Sequence, residues 1–385
     1  MSETKIPSLE KSREKIDRID QELVKLFCER MQVSADVAAY KRTVGKPITD
    51  AARERALLAK VSDLAGEDME DYTRTLYATI LSISKAYQHE RLNTSSKLKE
   101  KIEKAKSDTP YQFPTRAKVA CQGVEGAYSL KAAEKLFDCP EVSFYKTFGD
   151  VFAAIESGEC RYGVLPIENS TAGSVTQIYD LMSEHRFYIV RSLRLKVDHC
   201  LLAKKGTKKA DITEVVSHPQ ALSQCAGYLA KMDGVKLTPF ANTAKAAEFV
   251  KSADSGVAAI ANRACAELYD LAVIDEDIQD NGNNYTRFIC ISKTPEIYPG
   301  ADKTSIILTV PHKPGSLSRL LAQIDAMNIN LTKLESRPIP GHDFEFLFYF
   351  DLESPIESPA LLRLLGELES TSEKFRYLGT YREVL

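Results

Sequence analysis

Asn281-Gly-Asn-Asn-Tyr-Thr-Arg-Phe288 runs straight into the apolar stretch Phe288-Ile-Cys-Ile-Ser292. Glycine and asparagine accept backbone angles that bulky residues resist, so the first part reads as a loop and the second as a strand. Such a joint can hold Thr286 and Arg287 in a chosen orientation at the mouth of a sheet. Back from it to about Lys118, short apolar runs alternate with amphipathic segments, the rhythm of an α/β domain. Strands are expected at 118–121, 142–145, 162–167, 187–193, 215–217, 257–260 and 288–292. Polar clusters follow several of them, where open α/β sheets usually bind ligands. These are Gly123-Val-Glu-Gly-Ala-Tyr-Ser129, Glu168-Asn-Ser-Thr171 and Ser217-His-Pro-Gln220, the last opening a helix on which Gln224 lies two turns along. Gly123-x-x-Gly126 lacks both the GxGxxG fingerprint and the P-loop lysine, which argues against a dinucleotide or nucleoside triphosphate site.

Forward of the joint, beyond Pro295 and Pro299, the pattern reads strand 303–310, helix 316–327, strands 329–338 and 343–352, helix 359–370 and strand 375–381. That order, βαββαβ, is a ferredoxin-like split fold. Its first strand and helix are joined by Pro311-His-Lys-Pro-Gly-Ser-Leu317, where Gly315 lets the backbone approach a ligand or another chain.

The first hundred residues are of a different kind. Leu9 to Arg42 contains no proline or glycine, and Ile16, Ile19, Leu23, Leu26, Val33, Val37 and Tyr40 form a heptad-like stripe. Arg30 breaks that stripe, and a charge on a buried seam costs several kcal/mol unless a counter-ion meets it. Arg13 and Lys41 share the helix, and Arg53 opens a second one after Gly45-Lys-Pro47, with Thr49 or Asp50 as N-cap and Glu54 close behind. A third helix is expected from about Glu67 to Lys106, with Gln88 beside an apolar face of Tyr72, Leu76, Ile80, Ile83 and Tyr87. The reading is an all-helical module with a cationic interior, followed by the linker Ser107-Asp-Thr-Pro-Tyr-Gln-Phe-Pro114.

With 385 residues, 27% charged, 44% hydrophobic and a net charge of −3, the composition is ordinary for a soluble multidomain protein and offers no basic excess for nucleic acid. Met1 to Pro7 lacks the apolar core of a signal peptide and no run approaches a membrane span, so a cytosolic place is expected. Eight cysteines lie scattered without a CxxC pair, signalling neither zinc nor a disulfide framework; they read as reduced, mostly core thiols. No metal or cofactor is expected.

Ser12-Arg-Glu-Lys-Ile-Asp17, Glu29-Arg30, Ala39-Tyr-Lys41, Asp50-Ala-Ala-Arg-Glu54 and Ser84-x-x-x-Gln88 resemble the all-α chorismate mutase family. The resemblance implies a [3,3] rearrangement of chorismate to prephenate. Arg13 and Arg30 would hold its carboxylates, Lys41 and Gln88 its ether oxygen, and Asp50, Arg53 and Glu54 would surround its hydroxyl, with Ser84 also in the binding set. A pericyclic reaction needs a folded substrate and fixed positive charge rather than a nucleophile. Arg13 and Arg30 lie ~25 Å apart along one helix, too far to share one small dianion, whereas Arg30 and Lys41 are ~16 Å apart. Arg13 is therefore expected to serve a site built mainly by a second chain, in an intertwined homodimer with shared mutase sites; whether dimers pair into tetramers stays open.

Gly123-x-x-Gly-Ala-Tyr-Ser129, Pro166-Ile-Glu-Asn-Ser170, Ser217-His-Pro-Gln220 and Tyr285-Thr-Arg-Phe288, in this order, resemble prephenate dehydratase. The family implies two α/β lobes like a periplasmic binding protein, Thr286 as catalytic residue, and Glu168, Asn169, Ser217, Gln224 and Arg287 lining or supporting the pocket for prephenate, with Ser170 also in the binding set. Gly315, Ser316 and Leu317, with Glu335-Ser336-Arg337-Pro338, resemble the ACT domain and imply L-phenylalanine as effector; Ser316 stands where that family usually has alanine. The expected layout is 1–106 mutase, 117–294 dehydratase and 302–385 ACT. An arogenate-preferring dehydratase and a non-catalytic carboxylate-binding sensor are the rival readings.

Overall fold

The computed structural model describes residues 8–48, 50–92, 97–339 and 345–384. They fall into two compact units, one of residues up to Glu100 with 313–327 and 362–372, the other of 101–312 with 328–361 and 373–385.

In the first unit, α1 (Leu9–Thr43) starts at Ser8, whose hydroxyl accepts from the Lys11 N–H. α2 (Ala51–Ala65) starts at Asp50, whose carboxylate accepts from the Arg53 N–H at 3.0 Å. The other cap candidate, Thr49, lies outside the described residues. α3 (Glu70–Leu92) and α4 (Lys97–Asp108) replace the single helix expected to Lys106. Between them stands Asn93-Thr-Ser-Ser96, outside the described residues. The heptad stripe of α1 is exposed in the single chain: Ile16 is 54% accessible, Leu23 54% and Leu26 60%, and Val33, Val37 and Tyr40 are exposed as well. Thirty-five residues of amphipathic helix thus present an apolar face that the described residues of their own unit leave uncovered.

From residue 116 the chain runs β1 (Arg116–Gln122), α5 (Tyr128–Leu136), β2 (Cys139–Tyr145), α6 (Phe148–Ser157), β3 (Tyr162–Asn169), β4 (Gly173–Ser174), α7 (Thr176–Glu184) and β5 (Tyr188–Lys196). After three residues it enters β6 (Cys200–Lys204), β7 (Glu214–Ser217), α8 (Pro219–Gln224), α9 (Ala226–Leu229), β8 (Lys236–Pro239), α10 (Thr243–Ser252), β9 (Val257–Ala261), α11 (Ala264–Tyr269) and β10 (Leu271–Asp275). It returns through 276–284 to β11 (Tyr285–Ser292), and then forms β12 (Lys303–Thr309), α12 (Ser316–Ala326), β13 (Asn330–Pro338), β14 (Phe346–Glu353), α13 (Pro359–Thr371), β15 (Phe375–Tyr381) and β16 (Glu383–Val384).

Three sheets result. The first lobe has the order β16-β5-β11-β3-β1-β2 with β4 beside β3, the second lobe β10-β6-β9-β7-β8, and the third sheet β13-β14-β12-β15. The expected α/β and βαββαβ parts are therefore present. β4, β6, β8, β10 and β16 were not expected: all are short, and β6 follows β5 so closely that no turn signal separates them in the sequence.

The third sheet shares a core with the first lobe. Ile307, Tyr349, Leu378 and Tyr381 join Phe152, Tyr179, Met182, Ile189 and Ile289 in one buried cluster. Gly379 makes the closest approach: a Cβ there would stand 2.1 Å from the Ile189 carbonyl oxygen, at a φ of 141°. Gly379→Ala is expected to lose about 2–3 kcal/mol of unfolding free energy through strain and separation of β15 from β5, which a denaturant titration measures.

Candidate active sites

Two crossovers join the lobes, residues 197–199 and 276–284, and the dehydratase candidates gather where they meet the first sheet. β11 lies antiparallel to β3, with Thr286 opposite Asn169 and Arg287 opposite Glu168. Between Arg287 and Phe288 the register slips, so that Phe288 faces Pro166. Proline has no N–H for a central ladder, and the slip accommodates it. It also re-aims the chain: Pro166 and Asn169, three residues apart, both face the cleft, as do Thr286 and Phe288, two apart.

The cleft encloses about 490 Å³ between the lobes. A chain of amide hydrogen bonds forms one wall. Asn169 Oδ1 accepts from the backbone N–H groups of Thr171 (3.0 Å) and Ala172 (2.8 Å). Its Nδ2 donates to Thr286 Oγ1 at 3.0 Å and Asn284 Oδ1 at 2.8 Å. Asn284 Nδ2 donates to Gln224 Oε1 at 3.0 Å, and His199 Nε2 lies 2.9 Å from the same oxygen. Thr286 thus accepts one bond, and its own O–H remains to donate.

The described lining residues of this cleft include no Asp, Glu, Lys or Arg. Helix N-termini, which favour negative charge, stand there instead: α5, α7 and α10 all begin at the cleft. Ala127 and Val175 provide no side-chain cap to α5 and α7, so the first N–H groups of these helices keep their capacity to bind an anion.

Four expected substrate-binding residues do not line this cleft. Ser217 is fully buried and donates to the Ile260 carbonyl at 2.6 Å. Ser170 bridges the backbone, donating to Asn283 O and accepting from Tyr285 N–H. Glu168 turns to the opposite face of its sheet and pairs with Lys333 Nζ at 2.8 Å. Arg287 is the sharpest correction. The two-residue period of β11 sends it away from Thr286, into a buried cluster with Asp351 (2.5 Å), Glu383 (3.0 Å) and the Tyr381 hydroxyl (2.9 Å). Burial opposes its charge, yet Tyr381, Asp351 and Glu383 outweigh that cost and raise its pKa above the usual guanidinium value. Lys303 and Arg194 complete the cluster around Glu383.

Sequence reasoning missed Asn284 and His199. Asn284 lies in the quoted loop, where it was read as conformational freedom only. His199 is 2% exposed, and burial lowers its pKa, against the Gln224 hydrogen bond and Asp198. A histidine on a three-residue crossover is the signal that could have found it. Gly126 proves structural: its carbonyl accepts from Asn262 Nδ2 at 2.7 Å, and an added Cβ would meet Cys265 and Leu268 of α11 near 3.0 Å.

In the helical unit, Arg30 Nη1 donates to Ser84 Oγ at 2.5 Å, and Gln88 lies one turn further along α3, buried with its side-chain oxygen unpartnered. Lys41 Nζ donates to the Ile48 carbonyl at 2.5 Å, and Glu54 pairs with Lys85 at 3.1 Å. Asp50 and Arg53 are exposed, as is Arg13. One face of this unit thus carries Arg30, Ser84 and Gln88 together, and Arg13 lies about 25 Å along the helix.

Of the expected effector residues, Gly315 takes a left-handed φ of 76° at the start of α12, and Ser316 Oγ accepts from Arg319. On β13, Glu335 accepts from Ser174 Oγ at 2.6 Å and Arg337 forms a two-pronged pair with Asp180 at 2.7 and 2.8 Å. Ser336 and Pro338 lie on the same strand.

Residues 12–89 match the type II chorismate mutase family, 119–296 prephenate dehydratase and 304–370 the ACT domain. A bifunctional chorismate mutase/prephenate dehydratase of Enterobacter agglomerans is 31% identical over 378 residues, covering 96% of this chain and 94% of that protein. Arogenate dehydratase 2 of Petunia hybrida is 40% identical over 286 residues, 69% of this chain and 72% of that protein. The structure of a prephenate dehydratase in complex with L-Phe from Arthrobacter aurescens superposes with a TM-score of 0.63 at 27% identity, over 69% of this chain and 89% of that one. With three family matches in order and a relative matched almost end to end, the chain belongs to the bifunctional chorismate mutase/prephenate dehydratase family.

Proposed function

We propose that the helical unit converts chorismate to prephenate, and that the cleft then converts prephenate to phenylpyruvate, carbon dioxide and hydroxide, under inhibition by L-phenylalanine through the ACT domain. The observation that carries the dehydratase reading is the Thr286 hydroxyl, which accepts from Asn169 and keeps its proton for a ligand in a cleft ringed by helix N-termini. Aromatisation drives the second reaction, so the protein's task is to stabilise the departing hydroxide. A threonine hydroxyl is too weak an acid to surrender its proton at neutral pH; its hydrogen bond strengthens as charge grows on the leaving oxygen. The helix ends suit a dianion. Arogenate would bring an ammonium group as well, and no carboxylate stands among the described lining residues to receive it, which favours prephenate. Chorismate fed to purified protein should yield prephenate and then phenylpyruvate, less so with phenylalanine present; no phenylpyruvate at all would defeat the reading.

The mutase site is proposed to be shared between two chains. Lys41, Gln88, Arg30 and Ser84, with Asp50, Arg53 and Glu54, belong to one protomer, and Arg13 comes from its partner. The exposed stripe of α1 supports this, because a second copy of the same helix has the matching apolar period. Arg13→Ala and Lys41→Ala proteins, each inactive as a mutase, should recover up to about a quarter of wild-type activity after co-refolding, since a mixed dimer carries one intact site; continued inactivity excludes sharing.

Regulation is proposed to pass through β11. One of its residues, Thr286, faces the cleft, and the next, Arg287, is gripped by Asp351 and Tyr381 of the third sheet. A shift of that sheet on binding phenylalanine moves the strand that holds the reacting hydroxyl, and a coupling of ~1–3 kcal/mol is typical of such devices.

A further inference from the structure

The amide chain in the cleft has a direction, and it ends on a histidine. Backbone N–H groups donate only, so Thr171 and Ala172 force Asn169 Oδ1 to be an acceptor and its Nδ2 the donor toward Thr286 and Asn284. Asn284 must then present Nδ2 to Gln224, which leaves Gln224 Oε1 as the atom 2.9 Å from His199 Nε2. An acceptor oxygen there requires a proton on Nε2. His199 Nδ1 is buried without a partner, as the other nitrogen of a neutral Nε2–H imidazole would be. Burial, which lowers the His199 pKa, agrees with the neutral form.

We propose that His199 is a positioning residue for the dehydratase reaction, acting as the neutral Nε2–H tautomer that anchors Gln224 and, through Asn284, keeps Asn169 seated against the Thr286 hydroxyl. The proposal rests on the cleft being the dehydratase site. The other tautomer would set a bare Nε2 against Gln224 Oε1. Turning the Gln224 amide to relieve that contact sets two donors face to face at Asn284, and turning Asn284 sets two donors face to face at Asn169. Thr171 and Ala172 do not let the Asn169 amide turn, so the unrelieved clash would push Asn169 away from Thr286. Tyr128 holds the ring from the side: it stands edge-on with centroids 6.3 Å apart, and its hydroxyl donates to the Asp198 carbonyl at 2.6 Å. Gln279 accepts from the His199 backbone N–H at 2.8 Å and fixes the crossover itself.

Two measurements test this. Nitrogen-15 spectra of ring-labelled histidine, with the His199 signal among the six histidines assigned by its loss in His199→Gln, should show the Nε2–H tautomer at neutral pH. An Nδ1–H or doubly protonated ring overturns the proposal. Glutamine and methionine are close in size, and only glutamine keeps a donor at the end of the side chain. His199→Gln should therefore retain dehydratase kcat within about tenfold, while His199→Met should fall by about 10²-fold with little change in KM. Equal rates in the two variants, each shown to be folded by near-ultraviolet circular dichroism, overturn it. If His199→Met fails to fold, the tautomer of the wild-type protein decides. Thr286→Val is run in parallel: its loss of activity beside a fully active His199→Met defeats the histidine proposal alone, whereas wild-type activity in Thr286→Val defeats the placement of the site.

Discussion

Thr286→Val is expected to lower dehydratase turnover by about 10²–10³-fold, the usual cost of removing one donor aimed at developing negative charge. Valine keeps the shape and the strand preference of threonine, so β11 and its pairing to β3 should persist. What it removes is the single hydroxyl that accepts from Asn169 at 3.0 Å and points its remaining capacity into the cleft. The two N–H groups of the Asn169 amide keep acceptors in Asn284 and the Tyr285 carbonyl, so the wall itself should survive. Steady-state assays should thus show kcat falling far more than KM rises, because the lost bond is strongest in the transition state. Mutase activity, which belongs to the helical unit, should be retained and reports the amount of active protein. A folded Thr286→Val enzyme with near-normal dehydratase turnover would remove Thr286 from the mechanism.

Arg287→Ala is expected to cost about 3–5 kcal/mol of stability, because it strands buried carboxylates rather than simply deleting a contact. Arg287, Asp351, Glu383 and Lys303 are each about nine-tenths buried at the side chain, and Arg287 is the cation that bonds Asp351 and Tyr381, which Ser305 also bridges. Lys303 pairs with Glu383 at 3.4 Å, so Glu383 keeps a cation, but Asp351 is left with only Ser305 and its neighbouring hydroxyls. Denaturant titration of the second unit measures the loss. A change below about 1 kcal/mol would mean that water enters the cluster freely, which its burial denies. The same variant should weaken phenylalanine inhibition of whatever dehydratase activity remains, since the strand with Thr286 no longer moves with the third sheet.

These two neighbours show where the sequence is sufficient and where it stops. Tyr285-Thr-Arg-Phe288 marks both as residues at a strand start, and strand periodicity already places them on opposite faces. It does not tell which face is the cleft, because both faces of a central strand are buried. The heptad stripe of α1 likewise announces a seam without naming its partner, and the described residues of one chain leave it exposed.

The sequence by itself determined the three kinds of module, a helix start at Thr49 or Asp50, the βαββαβ order and the candidacy of Asn169, Gln224 and Thr286. Local preferences and motif spacing act over a few residues, and these features need no more than that. Only the tertiary structure decided that Arg287 and Glu168 serve the contact with the third sheet, that Ser217 is buried on a backbone carbonyl, and that Asn284 and His199 belong to the cleft. Those outcomes depend on segments far apart in the chain meeting in space: β11 on β3, β7 on β9, and two crossovers about 80 residues apart. Hydrogen-bond direction adds the last distinction: the backbone amides of Thr171 and Ala172 dictate the polarity of side chains as far away as His199, and no pattern along the chain encodes that.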